Sequence, residues 1–272
     1  MLKKVFYTLC ISFVVLWSCF PLYWAFITSL QTSSEMLQVS LWPSKPTLVH
    51  YCSIIYKTGF LKCVLNSFYV AGITILFANL LGVPAAFALA RFMFPGVKVL
   101  QAMIWIISFL PPIVLLGGLL DVVRFLGLYD SKAGLIFSYM LIVLPFTVWS
   151  LRNYMMQIPR ELEEAAIMDG VSVWRMFWKV FIPLSAPAII TTGLIAFITA
   201  WNEFLLALTM ILSDKNRTAT VGITLISGTT EFEIPWGQIM AAAGIVTIPL
   251  ICLVLFFQKR IVSGVTVGAV KG

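Results

Sequence analysis

The sequence predicts an all-α integral membrane protein with six transmembrane helices in one domain, residues 1–272. Three observations lead there. Of its 272 residues 61% are hydrophobic and 11% charged, and the mean hydropathy is +1.01; soluble domains carry about twice that charged fraction. Six apolar runs are each long enough to cross a bilayer, which takes a helix of roughly 20 residues. Lys and Arg favour alternate connections between these runs, as they do in polytopic proteins. The spans leave no room for a separate soluble domain.

The first run, residues 5–27, follows Lys3 and Lys4. Its apolar stretch is too long for a signal-peptide core and no small-x-small cleavage site follows it cleanly, so it reads as an uncleaved span. An outer segment, residues 28–63, carries turn residues Pro43, Ser44 and Pro46 and the single histidine, His50. His50 reads as a solvated or packed side chain. Cys52 and Cys63 fall in the same segment, where a disulfide is chemically possible; neither these nor the other three cysteines have metal-ligand spacing.

The second run, residues 64–90, is rich in Ala and Gly, which let helix backbones approach closely in lipid. Arg91 and Lys98 bracket a turn at Pro95 and Gly96. The third run, 99–120, carries Pro111-Pro112 and Gly117-Gly118: either a broken helix covered by protein or a wet cavity, or a kink or outer end. The fourth is 133–151. The fifth, 184–212, is interrupted by Glu203, and the sixth is 234–258. With Lys3 and Lys4 inside, the inner segments hold eleven of the 18 Lys and Arg and the longer outer segments seven. Both termini are therefore expected in the cytoplasm.

The connection between spans four and five, residues 159–183, is the most informative stretch. Pro159 suits a helix start, and Glu161, Glu163 and Glu164 favour the positive end of the dipole. Gly170 is placed to end this short helix in a left-handed conformation, and Ser172 to cap a second. In the second helix Trp174, Phe177, Trp178 and Phe181 recur at i, i+3, i+4 and i+7, an apolar face for the headgroups or for neighbouring helices. Pro183 and Pro187 mark the start of span five. The first helix, acidic with little apolar face, is solvent-exposed filler or a peg for a partner's cleft.

These residues resemble a known family. Glu164-Ala165-Ala166, three residues, Gly170, a nine-residue gap and Val180-Phe181-Ile182-Pro183 together look like the EAA loop of ABC importer permeases. Asp169 and Pro187 match its carbohydrate-importer branch, the maltose/trehalose type, as do Ala200-Trp201-Asn202-Glu203-Phe204 and the C-terminal stretch from Gly264 to Gly272. Val180 departs from the commoner isoleucine, conservatively in shape. The resemblance covers the whole chain and implies the type I permease fold. It further implies a coupling helix set into a cleft of a cytoplasmic ATPase, with Glu164, Ala165, Ala166, Asp169 and Gly170 as contact residues. Lys271 and its neighbours are implied as secondary contacts of the tail. Expected partners are a second homologous permease, two ATPase copies and an extracytoplasmic solute-binding protein.

The residues leave the chain without a motor. It has no G-x-x-x-x-G-K-[ST] phosphate loop, no G-x-S-x-G elbow and no zinc-ligand spacing. It is expected to be a transport subunit and not an enzyme, binding no cofactor itself, with ATP and Mg in the partner ATPase. Glu203 either sits at an interface or lines the path beside Trp201 and Asn202, since a carboxylate at bilayer depth needs a partner or water. An indole that stacks a sugar ring, with Asn and Glu for its hydroxyls, is suitable chemistry; helix–helix bonding is the alternative. The resemblance implies a disaccharide such as trehalose or maltose as cargo, with glycerol phosphate or another polar solute as the alternative. An ion-coupled secondary transporter would need more charge within the spans, and usually paired repeats.

Overall fold

The computed structural model describes residues 2–37, 40–226 and 234–269. Among them the regular structure is entirely helical: α1 (Leu2–Leu30), α2 (Val49–Tyr56), α3 (Phe60–Arg91), α4 (Val97–Phe109), α5 (Pro112–Phe125), α6 (Lys132–Met155), α7 (Arg160–Met168), α8 (Val173–Met176), α9 (Ile182–Asn202), α10 (Leu205–Met210), α11 (Ala219–Thr224) and α12 (Trp236–Ala269). Five helical stretches are long and apolar enough to cross a membrane, or six if α4 and α5 make one broken span. Helices are the solution lipid imposes, because every backbone N–H and C=O must find its partner within the chain.

The helices fall into two compact units, residues 1–64 with 221–251 and residues 65–220 with 252–272. In the first, α1 exposes nearly all of its apolar surface, Phe13, Leu16 and Trp17 included, and is buried only at its end around Ile27, Thr28 and Ser29. There the Ser29 hydroxyl lies 2.8 Å from that of Tyr51, and the Thr47 N–H donates to the Leu30 carbonyl at 2.9 Å. His50 is a packed side chain, with Nε2 2.9 Å from the Gln31 carbonyl. Cys52 is an exposed free thiol, so the bridge to Cys63 that the sequence allows is not formed.

In the second unit α3, α6 and α9 pack through small residues: Ala78, Val143 and Ala196 form one buried cluster. A Cβ on Gly82 would meet Thr147 Cγ2 at 3.0 Å, and one on Gly193 would meet Asn79 Nδ2 at 3.0 Å. Such contacts replace the hydrophobic drive that lipid cannot supply. On the far side, the Asp130 carboxylate accepts from the Leu212 N–H at 3.0 Å and from the Ser213 N–H and hydroxyl at 2.9 Å each. The Asn66 side chain donates to the carbonyls of Lys215 and Arg217 at 3.0 and 2.8 Å, which ties the same loop to α3.

The third span, 99–120, takes the broken form that its prolines left open, and the fifth, 184–212, breaks at Glu203. α4 and α5 meet at 105°. Leu110 and Pro111 are extended, with ψ 128° and 133°. Two successive prolines enforce this, since each pushes the residue before it out of the helical region. α9 ends at Asn202, Glu203 is extended (ψ 131°), and the chain restarts as α10. The second helix of the 159–183 connection is also not separate. α8 runs through a π-helical turn at Phe177–Phe181, in which the Ile182 N–H reaches the Phe177 carbonyl, straight into α9. Pro183, at the start of α9, has no N–H to give the preceding turn, and the wider π turn accommodates that.

Candidate functional site: the α7 helix and its anchorage

Local rules set α7. Pro159 is its N-cap, with Glu161 and Glu163 in the first turn. Its end is a Schellman motif: Val171 N–H donates to the Ala166 carbonyl and Gly170 N–H to that of Ile167, both at 2.9 Å. Gly170 takes φ +71°, where a Cβ would be strained. Ala166 and Val171 make the accompanying apolar contact against the core. The Ser172 hydroxyl then caps α8, accepting from the Arg175 N–H at 3.4 Å.

No residue of α7 is buried. Glu164, Ala165, Asp169 and Gly170 are exposed and Ala166 is half-buried. The outward surface of α7 and its end combines carboxylates, Ala165 and Gly170 with the exposed apolar side chains of Leu162, Ile167 and Met168. Below it the aromatic stripe divides. Phe177 and Phe181 are buried, with ring centroids 5.1 and 4.7 Å from that of Phe87, whereas Trp174 and Trp178 stay exposed.

One residue that local sequence rules could not assign organises this region. Arg91, the last residue of α3, has a side chain only 4% exposed. Its Nη2 donates to the carbonyls of Met155 and Ile158 at 2.9 and 2.7 Å. Met155 is the last residue of α6, and Ile158, in the turn beyond it, also gives its N–H to the Met155 carbonyl at 3.2 Å. Its guanidinium stacks over Phe181 at 4.8 Å, and its Nε lies 3.5 Å from Glu163. The sequence showed only a basic residue at a span's end.

The other candidate residues diverge. Trp201 is 1% exposed, with its ring 4.5 Å from Phe68 and 5.5 Å from Phe197. Asn202 is exposed. Glu203 accepts from the N–H groups of Leu206 and Ala207 at 2.8 and 3.1 Å, capping α10, while its own carbonyl accepts from the Thr220 hydroxyl at 2.8 Å. From the position before the N-cap residue Phe204, this acid takes two of the free N–H groups of the first turn. Lys271 lies outside the described residues.

Long apolar helices, with one exposed acidic helix held by the span ends, make this a polytopic helical membrane protein. The chain belongs to the family described as the binding-protein-dependent transport system inner membrane component, which matches residues 78–267. It is 40% identical over 261 residues to the trehalose transport system permease protein of Mycobacterium tuberculosis, which covers 96% of this chain and 95% of that one. It is 37% identical to the trehalose/maltose transport system permease protein of Thermococcus litoralis, over 93% of this chain and 91% of that one. Its fold is that of a bacterial ABC transporter involved in the import of the acidic polysaccharide alginate: TM-score 0.82, 22% identity, 95% of this chain and 96% of that one covered. This is the type I ABC importer permease fold.

Proposed function

We propose that this chain is one of two permeases in an ABC importer that carries a disaccharide such as trehalose or maltose into the cell. The observation that carries the cargo is the identity of 40% and 37%, over nearly the full chain, to permeases of trehalose and of trehalose/maltose systems. In this reading the chain hydrolyses nothing and binds no cofactor. Two cytoplasmic ATPases supply ATP and Mg chemistry from below, and a solute-binding protein delivers sugar from outside. The bias of Lys and Arg toward the inner connections supports both termini and α7 in the cytoplasm.

α7 is the coupling helix, with Glu164, Ala165, Ala166, Asp169 and Gly170 against the ATPase. A nine-residue helix with no buried residue is marginal by itself, and a partner that covers it would supply the missing contacts. Ala165 and Ala166 permit close approach, and Glu164 pairs with a basic group there. ATP binding draws the ATPases together, α7 moves with them, and the spans reorient between outward and inward openings. Asn202 is the candidate for direct sugar contact, with Glu203 and Trp201 beside it on the chain, and the C-terminal tail around Lys271 is a second contact with the ATPase.

The test is uptake by the complete importer in vesicles, with labelled trehalose and maltose as substrates and unlabelled glycerol phosphate as competitor. ATP-dependent uptake of a disaccharide, unaffected by glycerol phosphate, is the expected result. An importer that takes up neither disaccharide, or that yields to glycerol phosphate, contradicts the cargo assignment.

A further inference from the structure

We infer that Arg91 is a positioning residue that carries the movement of α7 into α3, through its ion pair with Glu163. The inference rests on the coupling role proposed above and specifies how force leaves that helix. Covalent connection joins α7 to α6 through residues 156–159 and to α9 through residues 169–181. α3 ends at Arg91, far from α7 in sequence, so it follows α7 only through side-chain contact.

Arg91 supplies the charged part of that contact, beside the apolar packing of Ala166 against the cluster that holds Val83, Ala86 and Phe87. Its guanidinium touches the Met155 and Ile158 carbonyls, the carboxylate of Glu163 on α7 and the ring of Phe181 in the π turn before α9. All of these lie in one compact unit. Among the described residues, Arg91–Glu163 is the ion pair that links α7 to a membrane-spanning helix. Arg91 is 4% exposed and Glu163 21%, so water and salt screen this charge pair less than they would a surface pair. The extended planar group explains why the residue is arginine: Nη2 donates to two carbonyls while Nε faces Glu163, two positions that the single nitrogen of an ammonium does not span. Glu163 adjoins Glu164 but turns inward. A push on the outer side of α7 is therefore felt by Arg91 on its inner side.

The experiment uses the complete importer in vesicles, with ATP hydrolysis, trehalose or maltose uptake and complex assembly measured together. E163Q keeps the size of the side chain and removes the charge; E163D keeps the charge; R91K keeps the charge and loses the planar group. The inference expects E163Q and R91K to assemble and hydrolyse ATP while sugar moved per ATP falls by about tenfold or more, the scale of a typical coupling between sites. E163D should restore most of that ratio. An unchanged ratio in E163Q overturns the inference, and so does a parallel loss of assembly, hydrolysis and uptake, which a merely structural role would produce. Failure of ATP to drive uptake by the unaltered importer would instead remove the functional reading itself, and this inference with it.

Discussion

The Arg91 guanidinium lies 3.5 Å from the Glu163 carboxylate while the same side chain ties off the carbonyls of Met155 and Ile158. Removing it takes the side-chain donor from the Ile158 carbonyl and the cation from a partly buried acid, while the Met155 carbonyl keeps the Ile158 N–H at 3.2 Å. Arg91→Ala should destabilise the fold by about 2–4 kcal/mol, the range for breaking a partly buried ion pair and removing a charged donor from buried carbonyls. A thermal melt of the purified chain in detergent reads this, and E163Q should cost much less than R91A.

Gly170 holds φ +71° at the end of α7. Gly170→Ala puts a Cβ into the left-handed region at a cost of about 1–2 kcal/mol, concentrated where the peg ends. Membrane insertion should persist while co-purification of the ATPase weakens. Gly170→Asn, which tolerates this conformation better, should be the milder variant.

Glu203 caps α10 with two backbone N–H groups. Glu203→Ala should cost about 1 kcal/mol of stability, as the loss of a capping side chain does. Glu203→Gln keeps an acceptor oxygen and should lie between E203A and the parent in a melt. Substrate contact is a separate question, read by uptake: if Asn202 touches sugar, Asn202→Ala should raise the half-saturating sugar concentration without moving the melt.

Hydrogen bonds from the Ser213 N–H, and next from its hydroxyl and the Leu212 N–H, hold the Asp130 carboxyl below the ordinary carboxylate range, against the opposing effect of burial. Its folded pKa is depressed, so its contribution is fully present above the unfolded value of about 3.9 and is lost as pH falls through the folded value. The gap in melting temperature between the parent and Asp130→Asn should therefore be constant at neutral pH and shrink as pH drops below 4. Melts from pH 3 to 7 test this. Asn tolerates the φ of 55° at this position, so strain does not confuse the comparison.

Gly134 leaves no space for a side chain: a Cβ there would overlap the Leu128 carbonyl oxygen and lie 3.2 Å from Val123 Cγ1. Backbone must move to admit it. Gly134→Ala should cost about 1–3 kcal/mol, toward the upper end, against a much smaller effect at Gly117, which has open space around it. Melts of the two variants side by side would show the difference.

What the sequence revealed was local. Pro159, Gly170 and Ser172 obey capping rules that act within one turn of chain, so the boundaries of α7 were readable from neighbouring residues. The prolines at 111 and 112 were visible as a disturbance, but a 105° bend depends on packing that no window of sequence contains. Pro183 suggested a boundary between two helices, yet a π turn carries the helix through it. The Trp174–Phe181 stripe is one face by periodicity and two by tertiary contact, because Phe87 on α3 buries only Phe177 and Phe181. Arg91 and Glu163 meet across a long stretch of chain with no shared pattern, so their pairing was not legible at all. Glu203 carried a local signal, an acid close before the apolar run 205–210 where the first free N–H groups of a helix lie.

The most direct measurement is accumulation of a labelled disaccharide against its gradient in vesicles holding this chain, its partner permease and the solute-binding protein, with and without the ATPase. The account predicts uphill accumulation only when the ATPase and ATP are present, and its loss when Glu164 and Gly170 are replaced. Uphill accumulation without the ATPase, or undiminished accumulation in the doubly replaced variant, would contradict it.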